Sequence, residues 1–239
     1  MGLGLGHEAH SQQARGGDAE EPASSFSTNR RGVKVLIIGA TGATGQILMR
    51  EALEQGHEVT ALARDPSTLA PEDPRLRVLQ GNALDMTSVE AAVAGQDAVL
   101  SALGTRSTKP TTLFSESTHN LISAMNKHGV RRLVCITGIG VGDSKGHVGF
   151  LYDRIIRPFV VKNVYEDKER QEEAIKQSDL DWVIVRPARL TDEPAKGKYN
   201  VFLGGSYTAT KISRADVVAF MLAQLTDDTY VRKMPVISY

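Results

Sequence analysis

Three evenly spaced glycines, Gly39, Gly42 and Gly45, lie where an apolar run of the chain gives way to a helical pattern. The run "VKVLII" is continuous and rich in β-branched residues, as in a strand buried on both faces. Glycine lets the backbone turn off such a strand and approach a phosphate, which the N–H groups of the next helix then bind. The alternative is a structural turn that binds no ligand. The segment predicts a dinucleotide-binding loop formed by Gly39, Thr41, Gly42, Ala43, Thr44 and Gly45.

The rest of the chain alternates apolar runs with amphipathic stretches, which favours parallel strands joined by helical crossovers. We expect an α/β fold, a Rossmann-like doubly wound parallel sheet with helices on both faces, in a single domain over residues 31–239. Residues 1–30 are poor in large apolar side chains and are predicted to be a disordered leader. Further strands are predicted at His57–Ala63, Leu76–Gln80, Asp97–Ala102, Arg132–Thr137 and Asp181–Val185, with short strand signals in "YNVFLG" and "MPVISY".

The charge of the chain favours no polyanionic partner. Lys plus Arg and Asp plus Glu both number 28, so the formal net charge is zero, and we expect neither nucleic-acid nor membrane binding. The single cysteine, Cys135, excludes an intrachain disulfide, and the histidines show no ligand spacing. We therefore expect no metal and a cytoplasmic location. The oligomeric state is left open between a monomer and a homodimer.

The end of the second predicted strand distinguishes the two dinucleotides. An NAD site usually has an acidic residue there, which binds the ribose 2′-hydroxyl. Here the strand ends in Arg64, whose guanidinium can hold a 2′-phosphate, and Asp65 lies one residue into the turn. The sequence therefore favours NADP over NAD, the alternative being that Arg64 is an ordinary surface arginine.

A series of motifs follows the glycine loop: "RDPSTL", "GNALD", "AGQDAVLSALGTR", "KHGVRRLVCIT" and "DLDWVIVRPARLTD". Together with "GATGATG" they resemble the atypical short-chain dehydrogenase/reductases that have an NAD(P)-binding, NmrA-like domain. Within that family the chain is most similar to the biliverdin reductase B, or flavin reductase, branch and its bacterial relatives, from about residue 33 to the end. The glycine motif is shared by a wide superfamily, whereas the block Ala94–Arg106 is more specific.

This resemblance implies an NADPH-dependent oxidoreductase that transfers hydride to a flavin, bilin, quinone or similar small, planar, conjugated acceptor. It also implies cofactor contacts after the later strands. Those implied near the adenine are Asn82, Ala83 and Leu84; those beside the cofactor after the fourth strand are Ala102, Leu103, Gly104 and Arg106; those near the nicotinamide are Thr137, Gly138, Pro187 and Ala188.

One departure from most short-chain dehydrogenases concerns their Tyr-x-x-x-Lys pair, in which the lysine lowers the pKa of the tyrosine. Here Tyr152 is followed four residues later by Ile156, and Tyr165 by Glu169. We therefore do not expect alcohol oxidation or epimerisation, whereas a conjugated acceptor delocalises charge itself and needs less help. The alternative function is an NmrA-like, NADP(H)-sensing regulatory or assembly protein without turnover.

Two further departures fall on candidate catalytic residues. Where the resembled branch has a serine and a histidine, the resemblance places Gly138 and Lys168 in this chain. Lys168 is a candidate proton donor or anion anchor, the alternative being a solvated lysine on a charged helix face. Thr137 is a candidate hydrogen-bonding residue, the alternative being a strand-end cap.

The acceptor is expected to bind between the segments 138–165 and 187–212. The apolar stretch "GFLYDRIIRPFVV" lies in the first of them. Phe150, Tyr152 and Phe159 are predicted to contact a planar substrate there. The alternative is a peripheral helix that packs its apolar face on the domain.

Overall fold

The computed structural model of the protein describes residues 32–69, 73–144, 162–205 and 207–239. The predicted leader, residues 1–30, lies outside the described residues, as does the stretch 145–161 of the predicted substrate region. Phe150, Tyr152 and Phe159 belong to that stretch, so their predicted role stays a prediction.

The described chain alternates strands and helices. Its strands are β1 (Lys34–Ile38), β2 (Glu58–Ala63), β3 (Leu76–Gln80), β4 (Ala98–Ser101), β5 (Arg132–Ile136), β6 (Asp181–Pro187), β7 (Arg189–Thr191), β8 (Asn200–Phe202), β9 (Lys211–Ser213) and β10 (Val236–Ser238). Its α-helices are α1 (Ala43–Glu54), α2 (Met86–Val93), α3 (Leu113–His128), α4 (Lys162–Lys176) and α5 (Arg214–Ala223).

Eight strands form one sheet in the order β3-β2-β1-β4-β5-β6-β10-β8. Every pair is parallel except β10 with β8 at one edge. The strands β2 and β3 lie on one side of β1, and β4, β5 and β6 lie on the other, so the strand order reverses between β1 and β4. In such sheets ligands bind beyond the carboxyl ends of the strands at this switch point, so the loops after β1 and β4 are the first place to look for a site.

Both faces of the sheet are covered, which explains the apolar continuity of β1. Val35 and Ile37 belong to one core cluster and Leu36 and Ile38 to the other, and all four are at most 1% exposed. The first cluster contains buried residues of α1 and α5, and the second contains those of α2, α3 and α4. Alternate residues of a strand point to opposite faces, so a strand between two helical layers is apolar throughout.

The predicted fold class, a doubly wound Rossmann-like sheet in a single domain, is confirmed. The short strand signals in "YNVFLG" and "MPVISY" became β8 and β10, but β10 lies between β6 and β8 in the sheet. The sixth strand continues two residues beyond its predicted end, to Pro187. The small parallel pair β7-β9 was not predicted. No helix in the described part of the chain is long and apolar enough to cross a membrane.

Candidate functional site

Close backbone packing at the first switch-point loop requires glycine at two positions. Gly39 has φ +84°, and a Cβ there would lie 2.7 Å from the carbonyl oxygen of Ala102 in the loop after β4. A Cβ on Gly45 would lie 2.0 Å from the carbonyl oxygen of Gly39. The glycines therefore bring three backbone segments, the end of β1, the start of α1 and the end of β4, closer together than side chains would permit.

The N-terminus of α1 opens onto this loop with its donors uncovered. Gly42 is the N-cap residue and, within the described chain, no side chain caps the helix. Thr41, Gly42 and Ala43 are exposed, and Thr44 is half-buried. The first N–H groups of a helix have no intrahelical acceptor and carry partial positive charge. This combination of a glycine cradle and an uncapped helix N-terminus fits the phosphates of a dinucleotide.

Arg64 and Asp65, which follow β2, differ in how they are engaged. The Arg64 side chain is exposed and, among the described residues, forms no hydrogen bond or ion pair. The Asp65 carboxylate accepts hydrogen bonds from the hydroxyl of Ser67 at 2.6 Å and from its backbone N–H at 3.0 Å. These bonds hold the pKa of Asp65 below its usual value. Arg64 is therefore available to a ligand, whereas Asp65 already shapes its own turn.

The loop after β3 is held by a hydrogen bond within the loop and by one from α3. The Asn82 side-chain oxygen accepts from the backbone N–H of Leu84 at 3.1 Å, and the Ala83 carbonyl accepts from Asn120 on α3 at 3.1 Å. The Leu84 side chain is 41% exposed. The loop thus exposes an apolar side chain, while the Asn82 side-chain oxygen is bonded within the loop and the Ala83 carbonyl is bonded to α3.

The loop after β4 continues the same edge. The Ala102 N–H donates to the Ile38 carbonyl at 2.9 Å, which ties this loop to the end of β1. Ala102 and Leu103 are half-buried, and Gly104 and Arg106 are exposed. Ala102 and Leu103 therefore lie beside the glycine loop at the switch point, and Gly104 and Arg106 follow them in the chain.

Thr137, at the end of β5, has three polar groups that bond to the chain itself. Its N–H donates to the Val185 carbonyl at 2.9 Å, and its carbonyl accepts from the Lys168 ammonium at 2.7 Å. Its hydroxyl donates to Glu172 Oε1 at 2.6 Å. Gly138 comes next, and the Ile139 N–H donates to the Pro187 carbonyl at 3.1 Å. The structure thus brings the predicted residues Thr137, Lys168 and Pro187 together at one corner of the sheet edge.

The side chain of Lys168 points inward, so the alternative of a fully solvated lysine is wrong. Its Nζ lies 4.6 Å from the centroid of the Phe114 ring, in addition to its bond to Thr137. Burial lowers the pKa of the Lys168 ammonium, against the opposing influence of Cys135, Glu172 and Asp167. Val164 stands four residues before Lys168, so this helix has no tyrosine at the position that a Tyr-x-x-x-Lys pair would require.

Sequence reasoning missed the buried charges behind Thr137. Glu172 and Arg186 are each 3% exposed and form an ion pair, with Arg186 Nε 3.0 Å from Oε1 and a terminal nitrogen 2.5 Å from Oε2. Asp167, with no exposed surface, accepts from the Phe114 N–H at 2.8 Å and the Ser115 hydroxyl at 2.5 Å. A signal existed: the arginine interrupts the apolar strand "DWVIVRP" and needs a buried partner.

A cavity of about 420 Å³ is lined by residues of β6, β8 and β10 and includes residues of both predicted substrate segments. It is bounded by Ser144, Arg186, Phe202, Tyr207, Arg232 and Val236 among others. None of the predicted cofactor-binding residues lines it. In the described residues no cluster of His, Cys, Asp and Glu is suited to a metal ion.

Comparison with known proteins adds a family. A family model described as NAD(P)H-binding matches residues 39–228. An uncharacterised chloroplastic protein of Arabidopsis thaliana is 30% identical over 178 residues, which cover 69% of this chain and 61% of the relative. The uncharacterised protein YwnB of Bacillus subtilis is 30% identical over 210 residues, 81% of this chain and 92% of that protein. The chain thus spans less than two thirds of the plant relative and nearly all of the bacterial one.

Solved structures agree on the fold. A short-chain dehydrogenase/reductase from Veillonella parvula in complex with NADP has a TM-score of 0.74 at 18% identity, over 87% of this chain and 94% of that one. The anaerobilin reductase ChuY of Escherichia coli O157:H7 has a TM-score of 0.73 at 22% identity, over 86% and 96%. At these identities the likeness shows the fold alone.

Proposed function

The chain belongs to the NAD(P)H-binding family whose model spans residues 39–228, and on this premise we propose that it is an NADPH-dependent oxidoreductase. The proposed acceptor is a flavin, bilin, quinone or similar small conjugated molecule. We also propose that the protein belongs to the NmrA-like, flavin reductase branch and that it is cytoplasmic.

The observation that carries the proposal is the uncapped N-terminus of α1 behind the glycine loop. The close approach of Gly39 and Gly45 to their neighbours holds the start of α1 against the ends of β1 and β4, at the switch point. With the phosphates there, the adenosine half of a dinucleotide would lie over β1, β2 and β3, and the nicotinamide half would lie over β4, β5 and β6. Arg64 would then hold the 2′-phosphate, because Asp65 is occupied by Ser67.

Bound NADPH would supply the hydride, and the chain would supply position and a proton. An acceptor that gains hydride also needs a proton, and the Lys168 ammonium is a donor held at the end of β5. Thr137 is not proposed as the donor, because its hydroxyl proton is directed to Glu172. A conjugated acceptor suits a site that lacks a tyrosine four residues before its lysine.

The test is NADPH consumption with a panel of acceptors: riboflavin, FMN, biliverdin and a soluble benzoquinone. We expect NADPH oxidation above the uncatalysed rate with at least one of them, and its loss in a variant carrying Gly45→Ala and Arg64→Ala. If no acceptor is consumed although NADPH binds, the reductase proposal fails.

A second candidate is a regulatory or assembly protein that binds NADP(H) without turnover. It is favoured by the hydrogen bonds that the Thr137 hydroxyl and the Lys168 ammonium already donate to groups of the chain itself. This candidate predicts nearly equal affinity for NADP⁺ and NADPH, no turnover, and a partner protein whose binding depends on the cofactor. A clear preference for the reduced form together with turnover would contradict it.

A further inference from the structure

A buried carboxylate controls the direction of the Thr137 hydroxyl. Glu172 Oε1 accepts hydrogen bonds from the Thr137 hydroxyl at 2.6 Å and from Arg186 Nε at 3.0 Å. Glu172 Oε2 accepts a hydrogen bond from a second nitrogen of Arg186 at 2.5 Å. A carboxylate paired with arginine only accepts hydrogen bonds, so the shared proton must come from the threonine. Oγ1 of Thr137 is left with lone pairs and no proton to offer elsewhere.

The other polar groups of Thr137 are also held in place. Val185 accepts its N–H and Lys168 donates to its carbonyl. Thr137 is therefore fixed through its backbone on two sides and through its hydroxyl on a third. Thr137 is 6% exposed, and the remaining hydrogen-bonding capacity of its side chain is the acceptor capacity of Oγ1, at the carboxyl end of β5.

We propose that Glu172 is a positioning residue that orients Thr137 Oγ1 as a hydrogen-bond acceptor for the carboxamide amino group of the nicotinamide. This inference rests on the proposed function, which puts the nicotinamide half of the cofactor over β4, β5 and β6. An amino group is a donor, so it complements an oxygen whose own proton is committed to a carboxylate. A substituent that replaces the amino group and has no N–H cannot donate a hydrogen bond to Oγ1.

The test compares two cofactors that differ in one group. NADP⁺ has a carboxamide, and its 3-acetylpyridine analogue has a methyl in place of the amino group and keeps the carbonyl. Dissociation constants are measured by calorimetry without any acceptor, so that turnover plays no part. We expect the wild type to bind NADP⁺ roughly three- to tenfold more tightly than the analogue, the effect of one hydrogen bond.

Variants assign this preference to Thr137 and Glu172. Thr137→Val removes the hydroxyl and leaves the Glu172–Arg186 pair intact, and it should bring the ratio of the two constants close to one. Thr137→Ser retains the hydroxyl and should retain the ratio. Glu172→Gln introduces an amide that can itself donate to Oγ1, which releases the threonine proton, and it should also reduce the ratio.

Because Glu172→Gln leaves a buried arginine without its counter-charge, its melting temperature is measured alongside, and the threonine variants decide the matter if it does not fold. A purely structural role of Glu172 would weaken both cofactors alike and leave the ratio unchanged. Equal wild-type affinity for the two cofactors, or an unchanged ratio in Thr137→Val, overturns this inference and leaves the proposed function standing. Failure of the wild type to bind either cofactor overturns both.

Discussion

In the proposed function, Arg64 is the residue that selects NADPH over NADH. It is exposed and unpaired in the described chain, whereas the neighbouring Asp65 is bound by Ser67. Arg64→Ala should weaken NADPH binding by roughly tenfold or more, since one charge-assisted contact contributes about 1.5–3 kcal/mol, and should leave NADH binding nearly unchanged. The measurement is a fluorescence titration with each nucleotide. Arg50→Ala, an exposed arginine on α1, is the control; equal weakening of both nucleotides by Arg64→Ala would contradict the assignment.

Lys168 gives the proposed reaction a pH dependence. Its pKa lies below the ordinary 10.5 because burial disfavours the charged form. If the ammonium gives a proton to the acceptor, turnover is highest while Lys168 is protonated and falls as the pH rises through its lowered pKa. We expect this alkaline decline below pH 10.5, its shift to higher pH in Lys168→Arg, and loss of most activity in Lys168→Met.

The control for Lys168 is Lys176→Met, an exposed lysine two turns further along the same helix. Its pH profile should match that of the wild type. A Lys168→Met variant with a normal rate and an unchanged profile would exclude Lys168 as the proton donor.

At the residue scale, the sequence identified candidate residues that lie in recognisable motifs. It missed residues that come together only in the folded structure. Thr137 and Lys168 were predicted as candidates and lie in contact. Glu172 and Arg186 were not, because they are fourteen residues apart and come together only when α4 packs on β6. The charged stretch "YEDKERQEE" is typical of an exposed helix, yet Asp167 and Glu172 in it are buried. Their carboxylates are bonded to groups of α3 and β6, respectively.

At the scale of elements, the junction of β1 and α1 has no space for a side chain at position 45. A Cβ at position 45 would stand 2.0 Å from the Gly39 carbonyl oxygen, far inside contact distance. Gly45→Ala should therefore force α1 away from the loop, with a loss of stability of about 1–3 kcal/mol and a loss of cofactor affinity. Urea unfolding and an NADPH titration measure the two effects. Gln46→Ala, an exposed neighbour, should change stability by less than about 0.5 kcal/mol; the same small effect for Gly45→Ala would contradict the packing argument.

The Glu172–Arg186 ion pair joins α4 to β6. Arg186→Met would leave Glu172 buried without its counter-charge and should cost about 3–5 kcal/mol in the free energy of unfolding. The double variant Arg186→Met with Glu172→Met removes both charges and should recover a large part of that loss. Chemical unfolding of the three proteins is the measurement. A double variant as unstable as the sum of the two single variants would show that the charges do not act as a pair.

For the whole molecule, the alternation of strands and helices was enough to predict a doubly wound sheet, because strands covered on both faces are apolar throughout. The position of β10 between β6 and β8 was not predictable in the same way. Strands of three residues carry too little periodicity to show which neighbour they join. The turn from β1 into α1 was predictable because its glycine pattern is local in sequence, and the ion pair of Glu172 with Arg186 was not, because it joins distant segments.

The central claim is that this chain binds NADP(H) at the glycine loop with the 2′-phosphate on Arg64. A titration of the purified protein with NADPH and, separately, with NADH, followed by nicotinamide fluorescence, tests it most directly. We predict saturable binding of one NADPH per chain, at least about tenfold tighter than NADH. Absence of saturable NADPH binding, or equal affinity for the two nucleotides, would contradict the account.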